Sequence, residues 1–380
     1  MLRPATRSFL AAHYRTGEVH EFRLERGRVA SMGRVRKRAT AVFGPGFVDL
    51  QCNGYAGVDF NRRETEPIVI AEAIKAMWEH GCTTVLPTFI TASAEALDEY
   101  LSDTVKALAA DAEAARSVPC FHLEGPFISP EDGARGAHPQ AHVRPVETKF
   151  WRRMQKAASG RIGLLTLAPE VRGAVPFIAW LRQQKVLPAI GHTMADAACV
   201  ARAADAGAMM STHLGNGCPQ TMNRHLNPIF AQLGEDRLLA SFIADGLHLP
   251  PEVLRALWRA KGGGVLVTDA MAAAGAPPGR YSIGDLELEV GRDRVVRQPG
   301  SQNFAGSALT MCEAVANLVR FARVPLADAW DAASLIPWAL LRQAGAVRGA
   351  LGSTVIAEWG EGEIKILAAL RGTKMLWAAE

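Results

Sequence analysis

Short apolar runs recur along the middle of the chain, and segments with helical spacing separate them. The runs cover residues 46–51, 83–88, 120–125, 162–170, 186–193, 208–214, 239–248 and 263–269. Two of the intervening segments, 68–80 and 195–206, end just before Gly81 and Gly207, and glycine commonly follows the last turn of a helix. Eight buried strands that alternate with helices predict an α/β protein with a closed parallel (β/α)8 barrel, the TIM barrel.

An open, doubly wound parallel sheet shows the same alternation and is the alternative architecture. Proteins of that class commonly carry a G-x-G-x-x-G or G-x-x-x-x-G-K-[ST] phosphate-binding loop after a strand. Neither pattern follows any of the eight apolar runs. The closed barrel is therefore the preferred prediction.

The two ends of the chain differ from the middle, because apolar and polar residues alternate there as in β-hairpins. The alternating segments and their turns are 21–32 around Arg26-Gly27, and 363–370 with 375–378 around Arg371-Gly372. Both ends thus supply strands, and we expect them to meet in one structure. We predict a small β-sandwich domain built from residues 1–44 and 346–380, and a barrel domain over residues 45–345.

The composition is that of a globular protein with a large apolar core. The chain has 380 residues, 49% of them hydrophobic, and a formal net charge of +4. Because the Lys and Arg residues are spread out, apart from a run at 34–38, we expect no nucleic-acid partner. No apolar stretch reaches the roughly 20 residues that cross a bilayer, and the N-terminal sequence is unlike a secretory signal. We expect a cytoplasmic protein that does not bind membranes.

The cysteines give no sign of a disulfide framework or a structural zinc module. There are six of them, Cys52, Cys82, Cys120, Cys199, Cys218 and Cys312. No two form a C-x-x-C pair, and their spacing is irregular. We therefore expect free thiols in a reducing compartment.

Polar side chains close almost every predicted strand. They are Asp49, Gln51, His122, Glu124, Glu170, His192, His213, Asp245, His248 and Asp269. A TIM barrel gathers the carboxyl ends of its strands on one face, where active sites of this fold lie. Ionisable groups at the ends of buried strands are costly unless they are paired or bind a metal. The pattern therefore indicates a functional site on that face.

Glu124, His192 and His213 close the third, fifth and sixth predicted strands. One carboxylate and two neutral imidazoles can hold a divalent zinc or iron ion and leave a position for water. Such an ion lowers the pKa of its water towards about 7. A hydrogen-bonded core or surface position is the alternative for any single histidine, but the three positions together favour a metal site.

Asp269 closes the eighth strand and could take a proton from the attacking water and pass it to a leaving amine. Capping of the following helix is its alternative role.

Arg224 and His248 could bind a phosphate through charge-assisted hydrogen bonds, and an ordinary exposed loop is the alternative for Arg224. His138 follows a glycine-rich loop and is either a substrate contact or a surface residue.

The remaining histidines are not assigned to a substrate or metal. His122 shares the third strand with Glu124 at a spacing of two, so its side chain points the same way into the barrel as a core or supporting residue. The others lie in the terminal sheet region, on a helix or in loops: His13, His20, His80, His142 and His225.

At these residues the sequence resembles the N-acetylglucosamine-6-phosphate deacetylases of the amidohydrolase superfamily. The motifs that carry the resemblance are PGFVDLQCNG (45–54), HLEGPFI (122–128), GAHPQ (136–140), GHT (191–193), HLGNG (213–217), ADGLH (244–248), TDA (268–270) and AGSALTM (305–311). They follow the order of the family over residues 45–311. Their combination is specific, whereas each short motif alone is weak.

The resemblance implies a barrel with a small β domain, a homodimer, and roles for individual residues. Glu124, His192 and His213 match the metal ligands, and Asp269 matches the catalytic acid and base. The other positions match substrate contacts: His138 near the scissile amide, His248 and the Asn216-Gly217 backbone at the sugar phosphate, Arg224 at the phosphate of the neighbouring subunit's substrate, and Ala305, Gly306 and Ser307 in the last motif.

The sequence departs from the family pattern in three places. Gln51 stands in the first strand where many amidohydrolases have the first histidine of a His-x-His pair, so the resemblance implies one divalent ion rather than two. Gly215, Gly217 and Cys218 replace an aromatic residue, an alanine and a methionine of the usual loop. The choice between gluco and galacto sugars is therefore left open. In the C-terminal segment, Ala357-Glu358-Trp359 replaces the usual strand sequence.

The expected activity is hydrolysis of the N-acetyl amide of N-acetylglucosamine 6-phosphate, which gives glucosamine 6-phosphate and acetate. The alternatives are a related amidohydrolase acting on N-acetylgalactosamine 6-phosphate, an N-acyl amino acid or a cyclic ureide, and an inactive barrel that only binds an amino-sugar phosphate. A substrate panel with acetate as the readout separates them.

Overall fold

The computed structural model describes residues 7–297 and 306–379. Within these ranges the strands are β1 (Arg7–His13), β2 (Val19–Glu25), β3 (Arg28–Arg34), β4 (Ala41–Pro45), β5 (Phe47–Cys52), β6 (Gly54–Tyr55), β7 (Val58–Asp59), β8 (Cys82–Ile90), β9 (Phe121–Glu124), β10 (Ile162–Leu167), β11 (Leu187–Ile190), β12 (Met210–Ser211), β13 (Leu239–Ile243), β14 (Val265–Val267), β15 (Gly279–Ile283), β16 (Leu286–Val290), β17 (Val296–Arg297), β18 (Ser353–Gly360), β19 (Glu363–Arg371) and β20 (Lys374–Ala378).

The helices alternate with these strands through the middle of the chain. They are α1 (Pro67–Ala76), α2 (Ala94–Ala110), α3 (Ala112–Ser117), α4 (Thr148–Ala157), α5 (Ala174–Gln183), α6 (Ala197–Asp205), α7 (Pro228–Leu233), α8 (Pro251–Lys261), α9 (Met311–Ala322), α10 (Leu326–Ala332) and α11 (Leu335–Ala344), with short 3-10 helices at Met77–His80 and Gln140–His142.

An eight-stranded parallel barrel forms the centre of the molecule. Its strands run in the order β5, β8, β9, β10, β11, β12, β13 and β14, and each overlaps one of the eight predicted runs. The amide of Asp269 donates to the carbonyl oxygen of Gln51 over 3.0 Å, and a parallel bridge joins Cys52 to Ala270. These contacts bring the first and last strands together, and the predicted (β/α)8 fold class is confirmed.

Burial explains why the barrel strands are almost continuously apolar. All nine residues of β8 are buried, as expected for a parallel strand covered on both faces. The predicted helix at 68–80 is α1 followed by a 3-10 turn, which ends at Gly81 with φ of 75°. The predicted helix at 195–206 is α6, and Asp196 caps it by accepting from the amide of Cys199 at 2.8 Å. At the end of the 3-10 turn, Gly81 tolerates its positive φ because glycine has no Cβ.

Strands from both ends of the chain form a second, smaller sheet. Its order is β1-β2-β3-β20-β19-β18-β4, and it closes because β4 pairs with β1 in parallel and with β18 antiparallel. The sandwich expected from the sequence is thus one continuous sheet closed into a barrel, which leaves neither edge unpaired. Its core includes Ala11, Phe22, Leu24, Ile356 and Leu370. The division into two domains at 44/45 and 345/346 stays a prediction.

A β-hairpin that the sequence pattern did not predict follows β14. It comprises β15 and β16, joined to β17, and residues 283–286 form its tip. The buried carboxylate of Asp59 holds the tip, because its Oδ2 accepts from the amide of Gly284 at 2.8 Å and from Ser282 Oγ at 3.3 Å. The hairpin tip therefore has a fixed position beside the carboxyl ends of the barrel strands.

Candidate active site

Glu124, His192 and His213 converge at the carboxyl ends of the barrel strands. Glu124 is the last residue of β9, and the two histidines follow β11 and β12 by two residues each. Nε2 of His213 lies 3.0 Å, and Nε2 of His192 3.3 Å, from Oε1 of Glu124. All three side chains are buried, and their possible ligand atoms lie within 4.8 Å of one another. The structure thus brings together the three residues predicted to bind a metal.

The backbone after three of the barrel strands adopts an unusual conformation. His192, His213 and Asp269 have φ values of 50°, 32° and 50°, in the left-handed region. A non-glycine residue there costs on the order of 1–3 kcal/mol, and such residues cluster at functional sites. The three strained residues all line one cavity. This is typical of a functional site, where the strained backbone holds each side chain in a fixed direction.

The donor atoms fit a divalent cation. Nδ1 of His192 hydrogen bonds to the carbonyl oxygen of Ala134 at 2.9 Å, which fixes the ring with Nε2 toward Glu124. Burial alone would raise the pKa of Glu124, but the hydrogen bonds and charges of His192 and His213 outweigh it and hold that pKa well below its usual range. One carboxylate and two imidazoles suit zinc or ferrous ion.

Asp269 lies beside this cluster without belonging to the ligand set. Its Oδ1 accepts from Asn53 Nδ2 at 2.7 Å and from Gln51 Nε2 at 3.1 Å. The same Gln51 amide donates to Oε1 of Glu124 at 3.0 Å. Burial first, and then the charge of Glu124, raises the pKa of Asp269 to about 6. A carboxyl group with a pKa near neutrality can both accept and return a proton.

His138 is buried and reaches the same centre from the loop after β9. Its Nδ1 lies 2.8 Å from Thr91 Oγ1 and accepts from the Thr91 amide at 3.3 Å. That network assigns the proton of the neutral ring to Nε2, which lies 3.9 Å from Oε2 of Glu124. Burial, and next the charge of His192, lowers the pKa of His138 to about 3. His138 therefore offers a neutral N–H donor near the metal ligands.

His248 stands further along the rim and is oriented by a carboxylate. Its Nδ1 lies 2.6 Å from Oδ2 of Asp245, and Oδ1 of Asp245 accepts from the amides of Leu247 and His248 at 2.8 and 2.9 Å. Burial alone would raise the pKa of Asp245, but the hydrogen bond and charge of His248 outweigh it, and the pKa falls. Asp245 thus fixes the ring plane of His248.

A cavity of about 1020 Å³ opens above these groups. Its walls include Glu124, His138, His192, His213 and Asp269, together with Asn216, Gly217, Gly306 and His248. Most of the predicted site residues therefore share one space. The same walls carry Cys218, whose pKa is raised by burial.

Two predicted substrate contacts among the described residues, Arg224 and Ser307, do not line this cavity. Arg224 lies on an exposed loop of the same chain. Ser307 is buried, and its Oγ donates to the carbonyl oxygen of Thr268 at 2.6 Å. Its backbone amide donates to the carbonyl oxygen of Asp269 at 2.8 Å. Ser307 thus supports the strand end that carries Asp269. Ala305 lies outside the described residues.

Sequence reasoning missed the groups that orient the site. Asn53 and Thr91 have no place in the predicted set, and Asp245 is noted at a strand end without a role, although each hydrogen bonds to a predicted site residue. For Asn53 a signal existed, because it follows Gln51 by two residues and a strand places such residues on one face. His122 is a supporting core residue, since its ring lies 3.3 Å from Thr88 Oγ1 and 2.8 Å from Thr166 Oγ1.

Comparison with known proteins gives a consistent result. The sequence matches the amidohydrolase family over residues 43–335. N-acetylglucosamine-6-phosphate deacetylase from Bos taurus is 35% identical over 79% of this chain and 74% of its own length. N-acetylgalactosamine-6-phosphate deacetylase from Escherichia coli O157:H7 is 32% identical over 88% of this chain and 87% of its own length.

Solved structures extend the likeness to the whole fold. A mutant N-acetyl-D-glucosamine-6-phosphate deacetylase from Mycobacterium smegmatis, in complex with N-acetyl-D-glucosamine-6-phosphate, is 28% identical and has a TM-score of 0.82. The match covers 97% of this chain and 99% of that chain. The enzyme of that name from Thermotoga maritima, with 24% identity and a TM-score of 0.81, shares the fold.

A barrel with a carboxylate, two imidazoles and a buried aspartate at its strand ends defines a hydrolase of the metal-dependent type. The chain belongs to the amidohydrolase family, in the branch that contains the N-acetylglucosamine-6-phosphate deacetylases.

Proposed function

We propose that the protein hydrolyses the N-acetyl amide of N-acetylglucosamine 6-phosphate to glucosamine 6-phosphate and acetate. The observation that carries the proposal is the meeting of Glu124, His192 and His213 with Asp269 and His138 in one cavity. The names of the relatives supply the substrate, because the cavity alone fits several amides.

Glu124, His192 and His213 would hold one divalent ion, zinc or iron. Bound there, the ion supplies Lewis acidity for the amide carbonyl and lowers the pKa of the attacking water. Gln51 supports a single ion, because its Nε2 donates to Glu124 and Asp269 and so presents hydrogens rather than a ligand lone pair toward them.

Asp269 then carries the proton transfers, and His138 stabilises the charge that develops on the carbonyl oxygen. Asp269 accepts a proton from the attacking water, whose oxygen forms the new bond to the carbonyl carbon. His138 donates from Nε2 to the carbonyl oxygen, which becomes negatively charged as the tetrahedral centre forms. When the C–N bond breaks, Asp269 gives its proton to the departing nitrogen. The products are the amine and acetic acid, which ionises to acetate and releases its proton to the solvent.

The polar wall of the cavity would bind the rest of the substrate. His248, oriented by Asp245, and the backbone of Asn216 and Gly217 are the proposed contacts of the sugar phosphate. N-acetylgalactosamine 6-phosphate is the second candidate substrate, supported by the relative from Escherichia coli O157:H7 and by Gly215, Gly217 and Cys218 in the sugar-side loop.

We further propose a homodimer in which Arg224 reaches the phosphate bound by the partner subunit. Arg224 is exposed and lies outside the cavity of its own chain, as such a role requires. On the same segment Leu226 is 82% and Phe230 53% exposed, and apolar exposure of this kind is typical of an interface. A monomer in sedimentation experiments at working concentration would contradict the dimer.

The proposed location is the cytoplasm. All six cysteines are free thiols, as predicted, and five of them are buried. Free thiols persist in reducing compartments. Among the described residues, no helix has the length and apolar character needed to span a membrane.

A substrate panel tests the activity. The protein, stripped of metal and reconstituted with Zn²⁺ or Fe²⁺, is given N-acetylglucosamine 6-phosphate, its galacto epimer and unphosphorylated N-acetylglucosamine, and released acetate is measured. We expect the two phosphorylated sugars to exceed the unphosphorylated one in kcat/KM, and the metal-free protein to be inactive. Tight binding of the sugar phosphates without acetate release would support the inactive barrel instead.

A further inference from the structure

The cavity has two chemically different sides. Asn216, Gly217 and His248 lie on the loops after β12 and β13 and form the polar side. The other side carries an apolar cluster, Ile90, Ala137, Ile283 and Leu286, whose members line the cavity and pack together. We call these four residues the apolar wall. The wall has no part in the chemistry described above.

The metal ligands lie between the two sides. Ile90 ends β8 and is paired in register with Glu124, while His213 follows β12 and lies 3.0 Å from Glu124. Strands β8 and β12 are the second and sixth of the closed eight-strand order, so they stand across the barrel from each other. An amide carries its nitrogen substituent and its acyl chain on opposite sides of the carbonyl carbon. A substrate with its sugar at His248 therefore directs its acyl chain at the apolar wall.

The hairpin tip closes this side of the cavity. Ile283 and Leu286 flank the turn of the tip, and the hydrogen bonds of Asp59 to Gly284 and Ser282 fix it. The charged residues that line the same region, Arg63 and Asp285, are exposed to solvent. Two buried polar residues also line it, but Asn61 Oδ1 accepts from the amide of Ile90 and Thr91 Oγ1 is hydrogen bonded to His138. The four residues of the apolar wall therefore offer apolar surface on this side, and burying methylene groups against them is favourable.

The wall also leaves space. Leu286 and Ala137 are only half-buried, so part of each side chain faces the cavity. The cavity as a whole measures about 1020 Å³, at the upper end of the roughly 300–1,000 Å³ typical of pockets for drug-sized ligands, and it holds the sugar phosphate as well as the acyl group. A two-carbon acyl group does not require an apolar surface of this extent.

We propose that the apolar wall is an acyl-binding pocket that admits linear N-acyl groups longer than acetyl, including propionyl and butyryl, and that Leu286 sets the length limit. The substrate class is thus N-acyl amino-sugar phosphates rather than the acetyl compound alone. This inference rests on the proposed function, since it uses the direction in which the sugar phosphate binds.

Two substitutions at one position test the pocket. Leu286→Ala removes side-chain volume from the wall, and Leu286→Phe adds it, while the half-buried position makes both compatible with the fold. Glu287→Ala is the matched control, because Glu287 is the next residue of the hairpin, is exposed and does not line this cavity. The readout is the ratio of kcat/KM for the N-butyryl to the N-acetyl sugar phosphate, so a general loss of activity cancels.

We expect the unsubstituted protein to turn over the propionyl and butyryl compounds with kcat/KM within about tenfold of the acetyl compound. Leu286→Phe should lower the butyryl-to-acetyl ratio by about tenfold or more, the size expected when a pocket rejects a methylene group. Leu286→Ala should raise the ratio, and Glu287→Ala should leave it unchanged. A butyryl compound disfavoured by more than about a hundredfold, with a ratio that neither variant changes, would overturn the proposal.

Binding separates this proposal from the proposed function. Calorimetry on Asp269→Asn, in which turnover is slowed by about 10²–10⁴-fold, gives the Kd of each acyl compound before much of it is hydrolysed. Normal binding of the acetyl compound with loss of butyryl binding would overturn the acyl pocket alone. Failure of the acetyl compound to bind would refute both proposals, and comparable Kd values for the two compounds support the pocket.

Discussion

The side-chain amide of Asn53 donates a hydrogen bond to Oδ1 of Asp269 over 2.7 Å. Gln51, two residues earlier in β5, donates to the same oxygen at 3.1 Å. Both donors hold one oxygen of the carboxylate, so its direction is fixed. Hydrogen bonds to a carboxylate also favour its ionised form and oppose the effect of burial on its pKa.

Replacement of Asn53 with alanine should change the pH dependence of the reaction. Loss of the donor removes a hydrogen bond from the ionised form of Asp269, so the pKa of that group rises. Because Asp269 must be ionised to accept the proton of water, the acidic limb of kcat/KM should move to higher pH by about one unit. A profile of kcat/KM against pH measures this, and an unchanged acidic limb would contradict the assigned role.

Asp269→Asn should separate catalysis from metal binding. The substitution keeps the shape but removes the proton acceptor, so we expect turnover to fall by about 10²–10⁴-fold. Metal content, measured on dialysed protein, should stay as in the unsubstituted chain. Glu124→Ala, by contrast, should lose both metal and turnover, and His225→Ala on the exposed loop should keep its metal. Near-normal turnover by Asp269→Asn would contradict the role of Asp269 as the proton acceptor.

The sequence predicted the barrel and most of its site for a physical reason. A buried parallel strand needs a continuous apolar run, and a polar residue at its end stands out against that run, as Glu124 and Asp269 do. The fold then brings distant strand ends together, so the convergence of Glu124, His192 and His213 needed only the fold class. The left-handed backbone of His192, His213 and Asp269 could not be predicted, since His and Asp adopt it only when tertiary contacts impose it.

The hairpin over 279–297 escaped prediction because its periodic signal is short and no motif marks it. The alternation in β16, where Leu286, Leu288 and Val290 face inward, is short and is set between charged residues. The anchor of its tip, Asp59, lies more than 200 positions away in the chain. Contacts of such long sequence separation follow from the assembled fold and not from a local pattern.

Asp49 should make the stability of the protein depend on pH. It is buried in β5, the first barrel strand, and its Oδ2 is 2.5 Å from Oγ1 of Thr268, which follows the last barrel strand, β14. Burial raises the pKa of Asp49 to about 7, against hydrogen bonds that lower it. A carboxyl group whose pKa is raised in the folded state contributes stability below its unfolded pKa, and that contribution is lost as the pH rises through the folded value.

Asp49→Asn removes this titration. Compared with the unsubstituted chain, the variant should gain relative stability between pH 5 and pH 8, by on the order of 1–3 kcal/mol. Urea unfolding at the two pH values measures the difference. Asp293→Asn is the control, because Asp293 is an exposed partner of Arg297 and should show no such gain. A constant difference between the two proteins across this range would mean that Asp49 stays ionised.

Asp245→Asn should weaken recognition of the phosphate without affecting the chemical step. Asp245 fixes the ring of His248 through a contact of 2.6 Å, whereas neither residue is among the candidate metal ligands. Since a hydrogen bond to a charged group contributes about 1.5–3 kcal/mol, we expect KM for the phosphorylated sugar to rise by about tenfold to a hundredfold, with little change in kcat.

The unphosphorylated sugar supplies the decisive comparison for this variant. It lacks the group that His248 is proposed to contact, so its kcat/KM should be the same in Asp245→Asn and in the unsubstituted protein. The exposed Asp236, replaced by Asn, is the matched control and should alter neither substrate. An equal loss on both sugars would show that Asp245 supports the loop as a whole, and His248 would then lose its place as the phosphate contact.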